Sequence, residues 1–297
     1  MTASKSLRGA ITAIVTPFQA DGTVDEAALG KFVDWQITEG IHGIVPVGST
    51  GEAVTLSLAE RERIVRITVE RAKGRVPVIA GAGSNDTAAA IEASRVLAAA
   101  GATHLLHVSP MYNKPPQRGL LAHFRAVADA APVPIVLYNV PGRTASNMVA
   151  ETTLALAEHE NIIAVKEASG NLAQIDQILR GRPEGFTVLS GDDGVTLAVM
   201  AAGGEGVISV ISNAVPKLVA QLTDALVRSD LATASLIHHR LAPLVDAAFV
   251  ESNPIPIKAA LAMMGKMRNV LRLPLVPLDT RHEAHLSAAL RIAGVVL

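Results

Sequence analysis

The chain has 297 residues, 49% hydrophobic and 18% charged, with a net charge of −1 and a pI near 6.8. It has material for one large core, and the balanced charge gives no electrostatic footprint for nucleic acid or an anionic membrane surface. There is no cysteine, which excludes disulfides, thiolate nucleophiles and thiolate metal sites. Met1–Gly9 lacks the apolar core of a secretory signal, and apolar runs such as Thr196–Ala202 fall short of the roughly 18 residues a membrane span needs. These features predict a soluble, cytoplasmic protein.

One unit repeats along the chain: a short apolar run, a small or polar loop, then a helix. The runs are Ala10–Val15, Gly43–Val47, Val76–Ala80, His104–Val108, Pro134–Tyr138, Ile162–Lys166, Phe186–Ser190 and Gly206–Val210. They are bounded by turn residues and are apolar nearly throughout, as parallel strands buried on both faces are. Between them, Ser57-Leu-Ala-Glu60 reads as a capping box, and Asn85 or Asp86 caps an alanine-rich helix ending at Gly101. Pro116 starts the fourth helix, Ser146 caps the fifth, Asn171 with Gln174 opens the sixth, and Pro216 sits in a first helical turn. Eight such units predict a (β/α)8 TIM barrel over residues 1–230. Leu231–Val250, Ile255–Met264 and Thr280–Ala293 predict a C-terminal helical extension over residues 231–297.

In such barrels the active site lies at the C-terminal ends of the strands. Lys166 ends the apolar run from Ile162, and alternation puts it on one face with Ile162 and Ala164, toward the barrel interior. Burial lowers a lysine's pKa, and the neutral amine is the nucleophile of Schiff-base chemistry. The structural alternative is an ion pair with Glu167 or Asp192. The other seven lysines fall in termini, helices or loops where a solvated ammonium is expected. The two tyrosines, Tyr112 and Tyr138, follow strands; a phenol beside a buried amine is a plausible proton carrier, and an ordinary core tyrosine is the plainer reading. Arg143 offers a fork suited to a carboxylate, or is simply a surface arginine. Gly48-Ser-Thr-Gly51 is a small loop able to form an anion nest but lacks the ending of a phosphate-binding loop. Metal readings are weak: His104 and His107 point to opposite strand faces, His238-His239 and His282/His285 lack a third ligand, and Asp192-Asp193 reads as a helix cap.

Taken together, Gly48-Ser-Thr-Gly-Glu52, Tyr112-Asn-Lys-Pro115, Tyr138-Asn-Val-Pro-Gly-Arg-Thr144, Val165-Lys-Glu-Ala-Ser169, Gly191-Asp-Asp193 and Gly206-Val-Ile-Ser209 resemble the dihydrodipicolinate synthase/N-acetylneuraminate lyase superfamily in order and spacing. The likeness runs to about Pro277. The Arg143 segment and Glu251-Ser-Asn-Pro-Ile-Pro-Ile-Lys258 are most similar to the dihydrodipicolinate synthase branch. The resemblance implies that Lys166 forms an imine with pyruvate, whose enamine attacks L-aspartate 4-semialdehyde. It implies a proton relay of Tyr138, Ser49 and Tyr112, with Tyr112 supplied by a neighbouring subunit. Ser49 and Thr50 would hold the pyruvate carboxylate and Arg143 that of the semialdehyde, while Gly191 and Ile208 would line the pocket. It implies no metal or organic cofactor, because the imine is the electron sink, and a homotetramer built as a dimer of dimers. Ser49 stands where the family often has threonine, which keeps the hydroxyl. Met111 stands where many members have a tyrosine that stacks across the tight dimer.

Three alternatives remain at this level: another pyruvate-dependent aldolase acting on 2-keto-3-deoxy sugar acids or related compounds, a pyridoxal-phosphate barrel using Lys166, and a non-catalytic metabolite-binding barrel. The resemblance also bears on regulation. Lysine-sensitive relatives carry a glutamate for the effector's ammonium, with histidines and the stacking tyrosine. Here Ala89, Leu58, Arg61 and Met111 take those places and only Asn85 is retained. A cation facing a cation leaves nothing to offset the desolvation of an ammonium. Inhibition by L-lysine is therefore expected to be weak or absent in steady-state assays, and an inhibition constant in the low millimolar range or tighter would refute this.

Overall fold

The computed structural model describes residues 7–297. Eight strands alternate with helices in the expected order. The barrel strands are β1 (Gly9–Ala13), β2 (Gly43–Val45), β3 (Ile79–Gly81), β4 (His104–Val108), β5 (Ile135–Asn139), β6 (Ile162–Glu167), β7 (Thr187–Ser190) and β8 (Gly206–Ser209). Between and after them lie α1 (Glu26–Thr38), α2 (Leu58–Ala72), α3 (Thr87–Ala99), α4 (Gln117–Ala130), α5 (Pro141–Thr144), α6 (Ala150–Ala157), α7 (Leu172–Gly181), α8 (Thr196–Ala201) and α9 (Pro216–Val227). All strand pairs are parallel, in the order β2-β1-β8-β7-β6-β5-β4-β3. A single parallel bridge, Ile44 to Val78, joins the two ends of that order and closes the ring. The fold is thus a (β/α)8 TIM barrel.

The pattern of the runs explains the two layers of core. Residues alternate between an inner set, among them Ile11, Val45, Ile79, Leu106, Val136, Ala164 and Leu189, and an outer set packed under the helices, such as Ile135, Leu137 and Val165. Helix starts follow local chemistry. Ser57 and Glu60 form the reciprocal capping box, Asp86 (not Asn85) accepts from the Ala88 amide, and Asn171 accepts from the Gln174 amide.

One helix start differs from expectation. Ser146 caps nothing: Pro141 begins the short α5, and α6 opens only at Ala150. The amide of Val149, at the N-cap of α6, donates instead to Oε1 of Gln117 on α4 (3.3 Å), an acceptor from another unit of the barrel.

Three further helices complete the chain: α10 (Leu231–Ala248), α11 (Ile255–Met263) and α12 (Glu283–Ile292). They pack against α9 and one another as the expected C-terminal helical extension. Among the described residues no helix is long and apolar enough to cross a membrane.

The β1–β8 seam depends on close backbone approach. A Cβ built on Gly206 would lie 2.2 Å from the carbonyl oxygen of Gly9 and 2.6 Å from its nitrogen. Backbone cannot rotate away as a side chain can. Gly206→Ala is expected to lower stability by about 3 kcal/mol, read from urea unfolding; an unchanged midpoint would show that the seam is compliant.

Candidate active site

At the C-terminal mouth of the barrel lies a cavity of about 790 Å³. Its lining includes Lys166, Tyr138, Thr50, Ser49, Gly191 and Ala168, together with Arg143, Asp192, Asn253 and Phe249. Lys166 and Tyr138 are register partners on β6 and β5, which sets their side chains next to each other on the inner face. The Lys166 Nζ lies 4.2 Å from the centroid of the Tyr138 ring.

Lys166 is buried, at 5% exposure, and among the described residues it forms no ion pair. Both carboxylates considered from sequence are committed elsewhere. Glu167, on the opposite face of β6, accepts from Asn139 Nδ2 (3.0 Å), Gln174 Nε2 (3.3 Å) and the Ser169 amide (2.8 Å). Asp192 accepts from the Gly194 amide (2.8 Å). Burial therefore dominates and lowers the Lys166 amine to about 7, with the negative charge of Asp193 opposing the fall and the Arg143 guanidinium adding to it. The Tyr138 phenol moves the other way, pushed up to about 12 by burial, with Arg143 opposing. At neutral pH the pair therefore comprises an amine with a large neutral fraction and a phenol that keeps its proton.

Gly191 fits against the lysine. A Cβ there would lie 2.6 Å from the Ala168 Cβ and 3.0 and 3.1 Å from Cγ and Cε of Lys166. Thr50 is buried, and its Oγ1 accepts from Asn253 Nδ2 (2.9 Å). Arg143 Nη2 donates to the carbonyl of Asn253 (3.1 Å). Ser49 is exposed to the cavity.

Two residues expected at the site stand apart from the cavity. Ile208, read from sequence as a pocket wall, is fully buried in the barrel interior and does not line the cavity. Strand alternation on the short β8 sends it into the packed layer below. Tyr112 is 89% exposed with a left-handed φ of 72° and does not line the cavity of its own chain.

Sequence reasoning missed Asn253 at the site and read Asp193 only as part of a helix cap, a role the structure gives to Asp192. Asn253 reaches the cavity from the C-terminal segment, 203 residues from the threonine it holds, with Oδ1 buried and unpartnered. Asp193 Oδ2 accepts from the amides of Val210 (2.9 Å) and Ile211 (3.1 Å). It also missed Lys258, whose expected solvation does not hold: its side chain is fully enclosed. Of the residues singled out for an effector, Arg61, Asn85, Ala89 and Met111 line the same cavity, and Leu58 does not. Among the described residues no three potential ligand side chains converge on a metal position.

Fold and site together define a class: (β/α)8-barrel enzymes that keep one unpaired amine at the strand ends, beneath a cavity. Comparison narrows it. The dihydrodipicolinate synthetase family profile matches residues 6–293. The 4-hydroxy-tetrahydrodipicolinate synthase of Maridesulfovibrio salexigens is 49% identical over 292 residues, covering 98% of this chain and all of the relative. That of Koribacter versatilis is 50% identical over 291 residues, covering 98% and 97%. A crystal structure of chloride-inhibited dihydrodipicolinate synthase from Acinetobacter baumannii complexed with pyruvate superposes with a TM-score of 0.96 at 40% identity, covering 98% of this chain and 100% of that one. The chain belongs to the dihydrodipicolinate synthetase family.

Confinement by Gly191 can be checked without substrate. In Gly191→Ala the added methyl meets both the Ala168 Cβ and the Lys166 stem, and if Lys166 gives way and loses part of its enclosure its amine should titrate higher than in the wild type. Reductive methylation of Lys166 followed by mass spectrometry across pH measures this; an unchanged profile in a folded variant would remove Gly191 from the argument.

Proposed function

We propose that the chain is a 4-hydroxy-tetrahydrodipicolinate synthase that condenses pyruvate with L-aspartate 4-semialdehyde through an imine on Lys166. The observation that carries the reading is a buried amine without a counter-ion, held beside a protonated phenol at the floor of a cavity. The neutral amine of Lys166 attacks the keto carbon of pyruvate, and water leaves as the imine forms. Loss of a methyl proton gives the enamine, whose carbon attacks the aldehyde and forms the new C–C bond. Hydrolysis of the product imine frees Lys166 and restores the ketone, with which the product's own amine condenses, losing water, to close the ring.

The residue roles follow the chemistry of each position. Tyr138, beside Lys166, carries protons to and from the developing alkoxide and the leaving water. Ser49 and Thr50 hold the pyruvate carboxylate, and Arg143, farther out, meets the carboxylate of the semialdehyde. Gly191 gives the imine room, and Ile208 supports the floor from within the barrel. Tyr112 completes the relay of Tyr138 and Ser49 from a neighbouring copy; its exposure and its absence from the lining of its own cavity support this assignment. That role requires at least a dimer, and we assign the assembly as a homotetramer. No metal or organic cofactor enters the scheme, since the iminium nitrogen takes up the electron pair.

The test is borohydride trapping with pyruvate and peptide mapping of the adduct. A pyruvyl adduct is expected on Lys166, forming faster as pH rises through about 7 because the ammonium must first lose its proton. Turnover with aspartate semialdehyde should diminish it, and Lys166→Ala should abolish it. An adduct that only sugar-acid aldehydes discharge would move the assignment to another aldolase of the superfamily. Absence of any adduct at Lys166 would reject the Schiff-base reading.

A further inference from the structure

The second buried lysine belongs to a different arrangement. Lys258, on α11, places Nζ 2.6 Å from Glu52 Oε1, and both side chains are fully enclosed. The same ammonium donates to the carbonyl of Thr16 (2.9 Å), and the other carboxylate oxygen of Glu52 accepts from the Arg272 amide (3.0 Å). Glu52 directly follows the Gly48–Gly51 loop and sits at a left-handed φ of 56°. Thr16, held by Lys258, donates its hydroxyl to the carbonyl of Gly51 (2.7 Å). Asn253, just before α11, donates to Thr50. Three consecutive loop residues, Thr50, Gly51 and Glu52, are thus each fixed by the C-terminal segment or by a strand-end residue that this segment holds.

An ion pair without solvent contact is a poor means of stabilising a fold, because desolvation consumes most of the Coulomb gain. Its geometry here is specific, and it meets the backbone where the substrate loop ends. We infer that the Glu52–Lys258 pair is a positioning device for the carboxylate grip of the proposed reaction: it sets the height and orientation of Ser49 and Thr50 over Lys166. Neither partner lines the cavity, so both act through Thr50 and Gly51 and are positioning residues. The inference rests on the reading of Ser49 and Thr50 as the groups that hold the pyruvate carboxylate.

Two variants separate positioning from folding. Lys258→Met leaves a buried carboxylate unpaired and should unfold at lower temperature, whereas Glu52→Gln with Lys258→Met removes both charges and should recover much of that loss. The double variant is nevertheless expected to show a KM for pyruvate raised on the order of tenfold, because the loop is no longer held at the correct height. Its kcat at saturating pyruvate should change less than about threefold, with the Lys166 adduct still formed. A wild-type KM in the folded double variant, or a fall in kcat at constant KM, would overturn the inference. If the double variant fails to fold, the near-isosteric Glu52→Gln alone decides: a raised KM supports positioning and an unchanged one rejects it. Failure of the wild-type protein to trap pyruvate at all would remove the functional reading and this inference with it.

Discussion

The chemistry of this barrel depends on burying one amine without giving it a counter-ion. An ammonium in an apolar enclosure is costly, and the structure relieves the cost by letting Lys166 release its proton near neutrality. Every nearby carboxylate is consistent with that arrangement. Glu167 is turned to the other face of its strand and held by two side-chain amides and a backbone amide, while Asp193 spends its charge on two backbone amides. Had either closed on Lys166, the amine would remain charged and unreactive.

Lys258 shows the opposite solution in the same molecule. It too is enclosed, yet it has a carboxylate at 2.6 Å and a carbonyl at 2.9 Å. Burial lowers its pKa, and the charge of Glu52 and its hydrogen bond oppose that fall. One lysine is kept reactive by isolation; the other is kept inert by company. Burial alone therefore does not mark a nucleophile, and the partner atoms decide.

Much of this was legible in the residues because it is local. A lysine closing the run Ile162–Val165 declares both its strand and its face, and eight apolar runs with turn residues between them admit few architectures. Strand ends moved by up to three residues, as where β3 starts at Ile79 instead of Val76, since apolar residues continue past the last ladder bond. What stayed hidden was long-range. Glu52 and Lys258 are 206 residues apart, and Asn253 and Thr50 are 203 apart. Lys258 lies on α11, whose residues from Ile255 to Leu261 are all buried, and no local pattern announces its partner. Ser146 was misread for the same reason, because the acceptor at the start of α6 comes from Gln117 on α4.

The single bridge between Ile44 and Val78 has a mechanical meaning. The ring is joined there between its two shortest strands, β2 and β3, and the Gly48–Gly51 loop follows close after β2. Besides the bridge, two backbone hydrogen bonds cross this seam, from the Ile44 amide to the Pro77 carbonyl and from the Gly81 amide to the Pro46 carbonyl. Asn253, Lys258 and Arg272 fasten the segment from Thr50 to Glu52 to the C-terminal extension, so the sector of the hoop with the least ladder pairing is also the one its appendage ties down.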